Sequence, residues 1–120
     1  MTIRNGFSTV TPYLVTDDLD GLLAFMRHAL GAEETLRARG SGGGVHVELR
    51  VGDSMLMVGG ASRRTSAMLF LYVDDPDAWH ARALQAGATS TMAPADTTDG
   101  ERRAGVKDAF GNDWWFGRPQ

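Results

Sequence analysis

At 120 residues the chain is long enough to bury roughly two-thirds of the surface its unfolded form exposes, so one domain with a genuine core is expected. Lys plus Arg is 12 against 15 Asp plus Glu, a formal net charge of −3, and no basic face is concentrated enough for a nucleic-acid or anionic-membrane partner. Cysteine is absent, which excludes disulfides, a thiolate nucleophile and cysteine metal sites; no apolar run approaches membrane-span length, no signal-peptide-like start is present, and a soluble, cytoplasmic protein is expected.

In chain order, Val10 to Val15 is a β-branched and aromatic run and predicts a strand. Asp18 is a good N-cap. Leu19, Leu22, Leu23, Met26 and Leu30 follow at the spacing of one buried helical stripe, and Gly31 closes it. Glu33 to Arg39 predicts a second strand, and the glycine run at 40–44 a flexible turn. That run lacks the Lys-Ser/Thr of a phosphate loop. Val45, Val47 and Leu49 alternate with His46, Glu48 and Arg50, the period of a strand with one wet face. Gly52-Asp53 turns the chain into a last strand, Ser54 to Val58.

The pattern then repeats. Tyr13-Leu14-Val15-Thr16-Asp17-Asp18 recurs as Phe70-Leu71-Tyr72-Val73-Asp74-Asp75, at an offset of 57 residues. Gly31-Ala32 recurs as Gly87-Ala88, and the turn at Gly52-Asp53 as Gly111-Asn112. The second copy predicts a strand at Met68 to Val73 and a helix capped by Asp75 with Pro76 at its first position. Trp79, Ala83 and Ala86 would form that helix's buried stripe. Strands follow near Thr89 to Met92, Arg103 to Lys107 and Asn112 to Phe116, with Pro94 to Gly100 as a mobile surface loop. The acids at 17, 18, 20, 74, 75 and 77 sit where capping and the helix dipole explain them. His28 and His80 are expected on solvent-facing sides of their helices.

These residues resemble the glyoxalase / bleomycin-resistance / extradiol-dioxygenase superfamily, the vicinal oxygen chelate fold. The resemblance rests on the repeat, on His46-Val47-Glu48-Leu49-Arg50-Val51-Gly52-Asp53, and on Gly105-Val106-Lys107-Asp108-Ala109-Phe110-Gly111-Asn112-Asp113-Trp114-Trp115. It implies an α+β fold: two βαβββ modules, about 7–59 and 66–118, forming a cupped eight-stranded mixed sheet around a cavity, commonly in a homodimer. The branch it most resembles is that of small bacterial glyoxalase-like proteins.

In metal-dependent members a His or Gln near the start of each module's first strand, and a Glu or His in its last strand, hold a cation. Carried onto this chain, those positions fall on Thr11, Met68, Leu56 (or Met57, one residue on) and Trp115. None is a nitrogen or carboxylate ligand, so no metal or other cofactor is expected. His46 and Glu48 share a strand face and are a weak alternative metal pair. If Thr11 faces the cavity, alternation turns Tyr13, Met68, Phe70, Tyr72 and Trp115 inward too, a set of rings and a thioether suited to a flat apolar or cationic ligand. One of Trp114 and Trp115 belongs to the core, and the sequence does not say which.

The expected function is metal-free binding of a small aromatic or apolar molecule, resembling the drug-sequestering bleomycin-resistance proteins of antibiotic resistance. The alternatives are a metal-dependent lyase, isomerase or dioxygenase with an atypical site, and a regulatory or scaffolding subunit without a ligand. The sequence assigns no catalytic residue.

Overall fold

The computed structural model describes residues 2–120. Its elements run β1 (Tyr13–Thr16), α1 (Leu19–Leu30), β2 (Glu33–Arg39), β3 (Val45–Val51), β4 (Ser54–Gly60), β5 (Met68–Tyr72), α2 (Pro76–Gln85), β6 (Thr89–Asp96), β7 (Glu101–Lys107) and β8 (Asp113–Pro119). This is the α+β fold of two βαβββ modules. The eight strands divide into two four-stranded mixed sheets of identical order, β1-β4-β3-β2 and β5-β8-β7-β6, with one parallel pair in each.

Both helices begin as the sequence predicts. Asp18 accepts a hydrogen bond from the Gly21 amide and Asp75 from the Ala78 amide, each satisfying an amide the helix leaves free. Gly31 ends α1 in the left-handed conformation, φ 66°, which a side chain would resist. The helix-facing residues of both sheets join one core. Leu14, Val47, Leu49 and Val58 come from the first sheet, Val106, Trp114 and Phe116 from the second, and Leu22, Leu23, Phe25 and Met26 from α1. Helices thus cover one face of each sheet. The other face of each is turned outward.

Four details differ from the sequence expectation. The first strand begins at Tyr13, not Val10, because Pro12 has no amide to donate; its carbonyl accepts from Met57, while Val10 stays 82% exposed. The supposed loop at Pro94–Gly100 is strand as far as Asp96. Ala95 and Asp96 pair with Arg103 and Arg102, and the edge position of β6, with a register irregularity between Met92 and Ala95, accommodates Pro94. On α2 the buried residues are Pro76, His80 and Ala83, with Trp79 and Ala86 partly covered. His80 is therefore buried rather than exposed, and its Nε2 lies 2.7 Å from Ser90 Oγ. His28 is exposed as expected.

Candidate functional site

Period-2 alternation decides which residues the outward faces carry. In β5, Leu69 and Leu71 turn to the helices, while Met68, Phe70 and Tyr72 turn outward, 70%, 43% and 69% exposed. In β8, Trp114 and Phe116 are core, so Trp115 stands outward, directly opposite Phe70 across the ladder. The tryptophan ambiguity is resolved by a buried carboxylate. Asp108 accepts hydrogen bonds from the Phe110 and Asn112 amides, Asn112 Nδ2 and Trp114 Nε1, at 2.8–2.9 Å. Asn112 in turn accepts from the Ala67 amide. This network fixes how the chain enters β8 and so which indole is inside.

Three outward rings lie across glycines of neighbouring strands. A Cβ at Gly105 would come within 2.7 Å of the Trp115 ring, one at Gly117 within 2.5 Å of Phe70, and one at Gly59 within 2.9 Å of the Tyr13 hydroxyl. The glycines leave backbone bare where a ring needs to lie flat. Phe70 and Tyr72 pack with ring centroids 5.1 Å apart, and the Arg103 guanidinium sits 5.5 Å from the Phe70 centroid. Tyr72 donates its hydroxyl to Glu101 at 3.0 Å, and that carboxylate raises the Tyr72 pKa above the ordinary phenol value. A cleft of about 630 Å3 runs along the helix-facing side of β5, lined by Leu69, Leu71, Trp79 and Trp114; it reaches Phe70 and Tyr72 but neither Met68 nor Trp115. That volume suits a small organic molecule.

The first sheet's outward face is different. Tyr13 stands opposite Met57, and Met57 opposite Glu48, so all three share that face with His46. The last-strand position carried over from the resemblance is therefore Met57; Leu56 belongs to the core, since one residue of register exchanges the faces. Tyr13 Oη lies 3.1 Å from His46 Nδ1, and His46 Nε2 lies 2.9 Å from Glu48 Oε2. Arg4 reaches in from the N-terminal segment to pair with Glu48 at 2.5 Å, and Glu48 is 1% exposed. Thr11, just before β1, donates its hydroxyl to the Ser8 carbonyl.

A divalent cation, which this fold holds in some relatives, does not fit the residues present. The carried-over positions offer a hydroxyl, two thioethers and an indole, not the nitrogen and carboxylate donors a cation requires. His46 and Glu48 face each other, and Arg4 occupies the same carboxylate oxygen. Among the described residues, no three His, Asp or Glu side chains converge as a metal set. Among the described residues, no helix is long and apolar enough to cross a membrane.

Two repeated βαβββ modules whose uncovered sheet faces carry the variable chemistry define a class of small α+β proteins. The chain belongs to the Glyoxalase/Bleomycin resistance protein/Dioxygenase superfamily, whose family model matches residues 6–116. An uncharacterized protein of Mycobacterium bovis is 34% identical, the match covering 92% of this chain and 82% of its own. Among solved structures, TioX from Micromonospora sp. ML1 superposes with a TM-score of 0.78 at 25% identity, over 94% of this chain and 99% of that one. A lactoylglutathione lyase from Agrobacterium tumefaciens shares the fold at a TM-score of 0.70 and 23% identity, over 92% of each chain. Membership fixes the fold and leaves the function to the site.

Proposed function

We propose that the protein binds a small aromatic or apolar molecule on the outward face of β5 and β8 without a metal ion. It would sequester or carry that molecule, as drug-binding members of its superfamily do. The observation that carries this reading is the exposed set Met68, Phe70 and Tyr72 opposite Trp115. Exposing three large apolar side chains on one edge strand costs solvation free energy and invites aggregation, so such a patch marks a surface that something covers. Tyr13, on the first sheet, would form a further wall. With one face of each sheet uncovered, two copies would assemble as a homodimer that encloses the ligand between chains.

The test is titration of aromatic compounds followed by tryptophan emission, with elemental analysis of protein purified without chelator or histidine tag. Binding abolished by Trp115→Ala, in protein with near-zero metal, is the expected result. Stoichiometric metal, lost on replacing His46 or Glu48, would overturn the metal-free reading. A monomeric mass in sedimentation would count against the dimer.

A further inference from the structure

We propose that the free edge of β5 is a docking site for an extended, basic segment of another protein, one that carries Arg followed by Thr or Ser. The repeat carries this inference. The first module holds such a segment at the equivalent place, and the second module has the same fittings without an occupant.

β1 and β5 are the outer strands of their sheets, each hydrogen-bonded to one neighbour. Alternate residues of such a strand turn their backbone groups toward the neighbour, and the rest turn theirs away. On β1 the Pro12 and Thr16 carbonyls accept from Met57 and Ala61, on the β4 side, so Val15 faces the free edge. There the linker covers it. The Thr65 amide donates to the Val15 carbonyl at 2.9 Å, and the Val15 amide donates to Thr65 Oγ1 at 3.0 Å. The preceding residue, Arg64, pairs with Asp17 at 2.6 Å and donates to the Ala109 carbonyl, in the turn between β7 and β8.

On β5 the Ala67 carbonyl accepts from Asp113 and the Val73 amide donates to Gly117, so Phe70 and Tyr72 face the free edge. The repeat offset of 57 carries Val15 onto Tyr72 and Asp17 onto Asp74. Among the described residues, neither backbone group of Tyr72 has a hydrogen-bond partner, and Asp74 is exposed without an ion pair. Both residues line the cleft of about 630 Å3. Its far wall is Val51 to Ser54 at the β3–β4 turn, the counterpart of the turn that frames Arg64.

An open edge offers main-chain hydrogen bonds to any extended chain, and its flanking groups choose which one. The charged residues lining the cleft are Asp53 and Asp74, so the incoming segment is basic. The chain's own segments are engaged elsewhere. The linker is spent on β1, and the N-terminal segment is held across the first sheet by Arg4 on Glu48. In a second copy the counterpart of Arg64-Thr65 is Phe7-Ser8, which brings no cation to Asp74. Docking uses the backbone of β5 and Asp74, not the outward rings, so it stands independently of the aromatic ligand.

The test is an end-blocked peptide of the linker's own sequence, residues 62–67, titrated into the intact 15N-labelled protein. The Phe70 and Tyr72 amides are expected to shift saturably, and Asp74→Asn to weaken binding about five-fold, as a partly exposed ion pair implies. The same peptide N-methylated at the Thr65 amide keeps every charge and loses the donor. It should fail to bind, which separates edge pairing from attraction of a basic peptide to a protein of net charge −3. Stationary Phe70 and Tyr72 amides, or equal binding of the N-methylated peptide, would overturn the proposal. Shifts confined to Val15 and Asp17 would overturn it too, as simple exchange with the linker. Movement of Phe70 and Tyr72 on diluting the protein alone would put a second copy on the edge instead.

Discussion

The two modules share one topology and differ on the face the helices leave open. In the first, Tyr13, His46, Glu48 and Arg4 tie that face into a continuous hydrogen-bonded chain, and the N-terminal segment is anchored on it through Arg4. In the second, the equivalent positions are Phe70, Arg103, Gly105 and Trp115, and exposed rings stand beside a chain from Tyr72 through Glu101 and Arg103 to Asp99. Even the turns into the last strands differ. Gly52-Asp53 closes β3 onto β4 with two residues, whereas β7 and β8 are joined through the carboxylate of Asp108. A repeated fold can thus vary one face: the first copy buries its carboxylate Glu48, and the second keeps Met68, Phe70 and Tyr72 exposed beside its polar chain. The strands and helices stay the same because the core face dictates them, and the outward face is free to vary.

The sharpest way to break the comparison is to attack the two polar networks. Asp108→Ala leaves a buried indole N–H, an amide side chain and two backbone amides without their acceptor. Unfolding stability should fall by about 3 kcal/mol or more in urea denaturation. A loss under about 1 kcal/mol would mean that this turn is not what fixes Trp114 inside. Glu48→Ala strands His46 and releases Arg4, with an expected cost of about 2 kcal/mol and faster hydrogen exchange around residues 4–8. Unchanged exchange there would show that Arg4 does not anchor the segment.

The open face should respond in the opposite sense. Met68→Ala and Tyr72→Ala remove side chains that are 70% and 69% exposed, so stability should stay within about 0.5 kcal/mol while affinity for an aromatic probe falls about ten-fold. Lost stability with retained binding would assign these side chains to structure.

The smallest effect is a titration. Because Glu101 raises the Tyr72 pKa, the protonated phenol is favoured in the folded state, and that contribution holds below the ordinary phenol range and disappears as pH rises through the raised value. Ultraviolet titration should find one of the two tyrosines ionising late, and Glu101→Gln should bring it back toward the ordinary phenol value. No movement in the variant would remove Glu101 as the cause.

Much of this was legible in the sequence, and the reason lies in which interactions are local. Caps at Asp18 and Asp75 and the αL glycine at Gly31 are short-range signals that appear where the sequence places them; the wet face expected of His46, Glu48 and Arg50 does not, since Glu48 is buried. The repeat carried the topology. What stayed illegible depends on partners distant in the chain. Nothing local marks Asp108 as the acceptor for Trp114, or Arg4 as the partner of Glu48 across 44 residues. His80 reads as a surface residue until Ser90 folds beneath it. Leu56 and Met57 exchange roles on a single residue of register, which counting from a turn does not resolve. Glycines carry a further signal: Gly59, Gly105 and Gly117 sit within strands, where a missing side chain points to something lying close across the backbone.

The central claim is that the ligand's ring stacks on the second module's open face. The protein has six methionines, and three report on distinct places: Met68 on the aromatic face, Met57 on the polar face and Met26 in the core. With 13C-labelled methionine methyls, 1-naphthylmethylamine should shift Met68 most, through the ring current of a stacked aromatic, and leave Met26 unmoved. A saturating shift at Met57 or Met26 with Met68 stationary would place the ligand elsewhere and contradict the account.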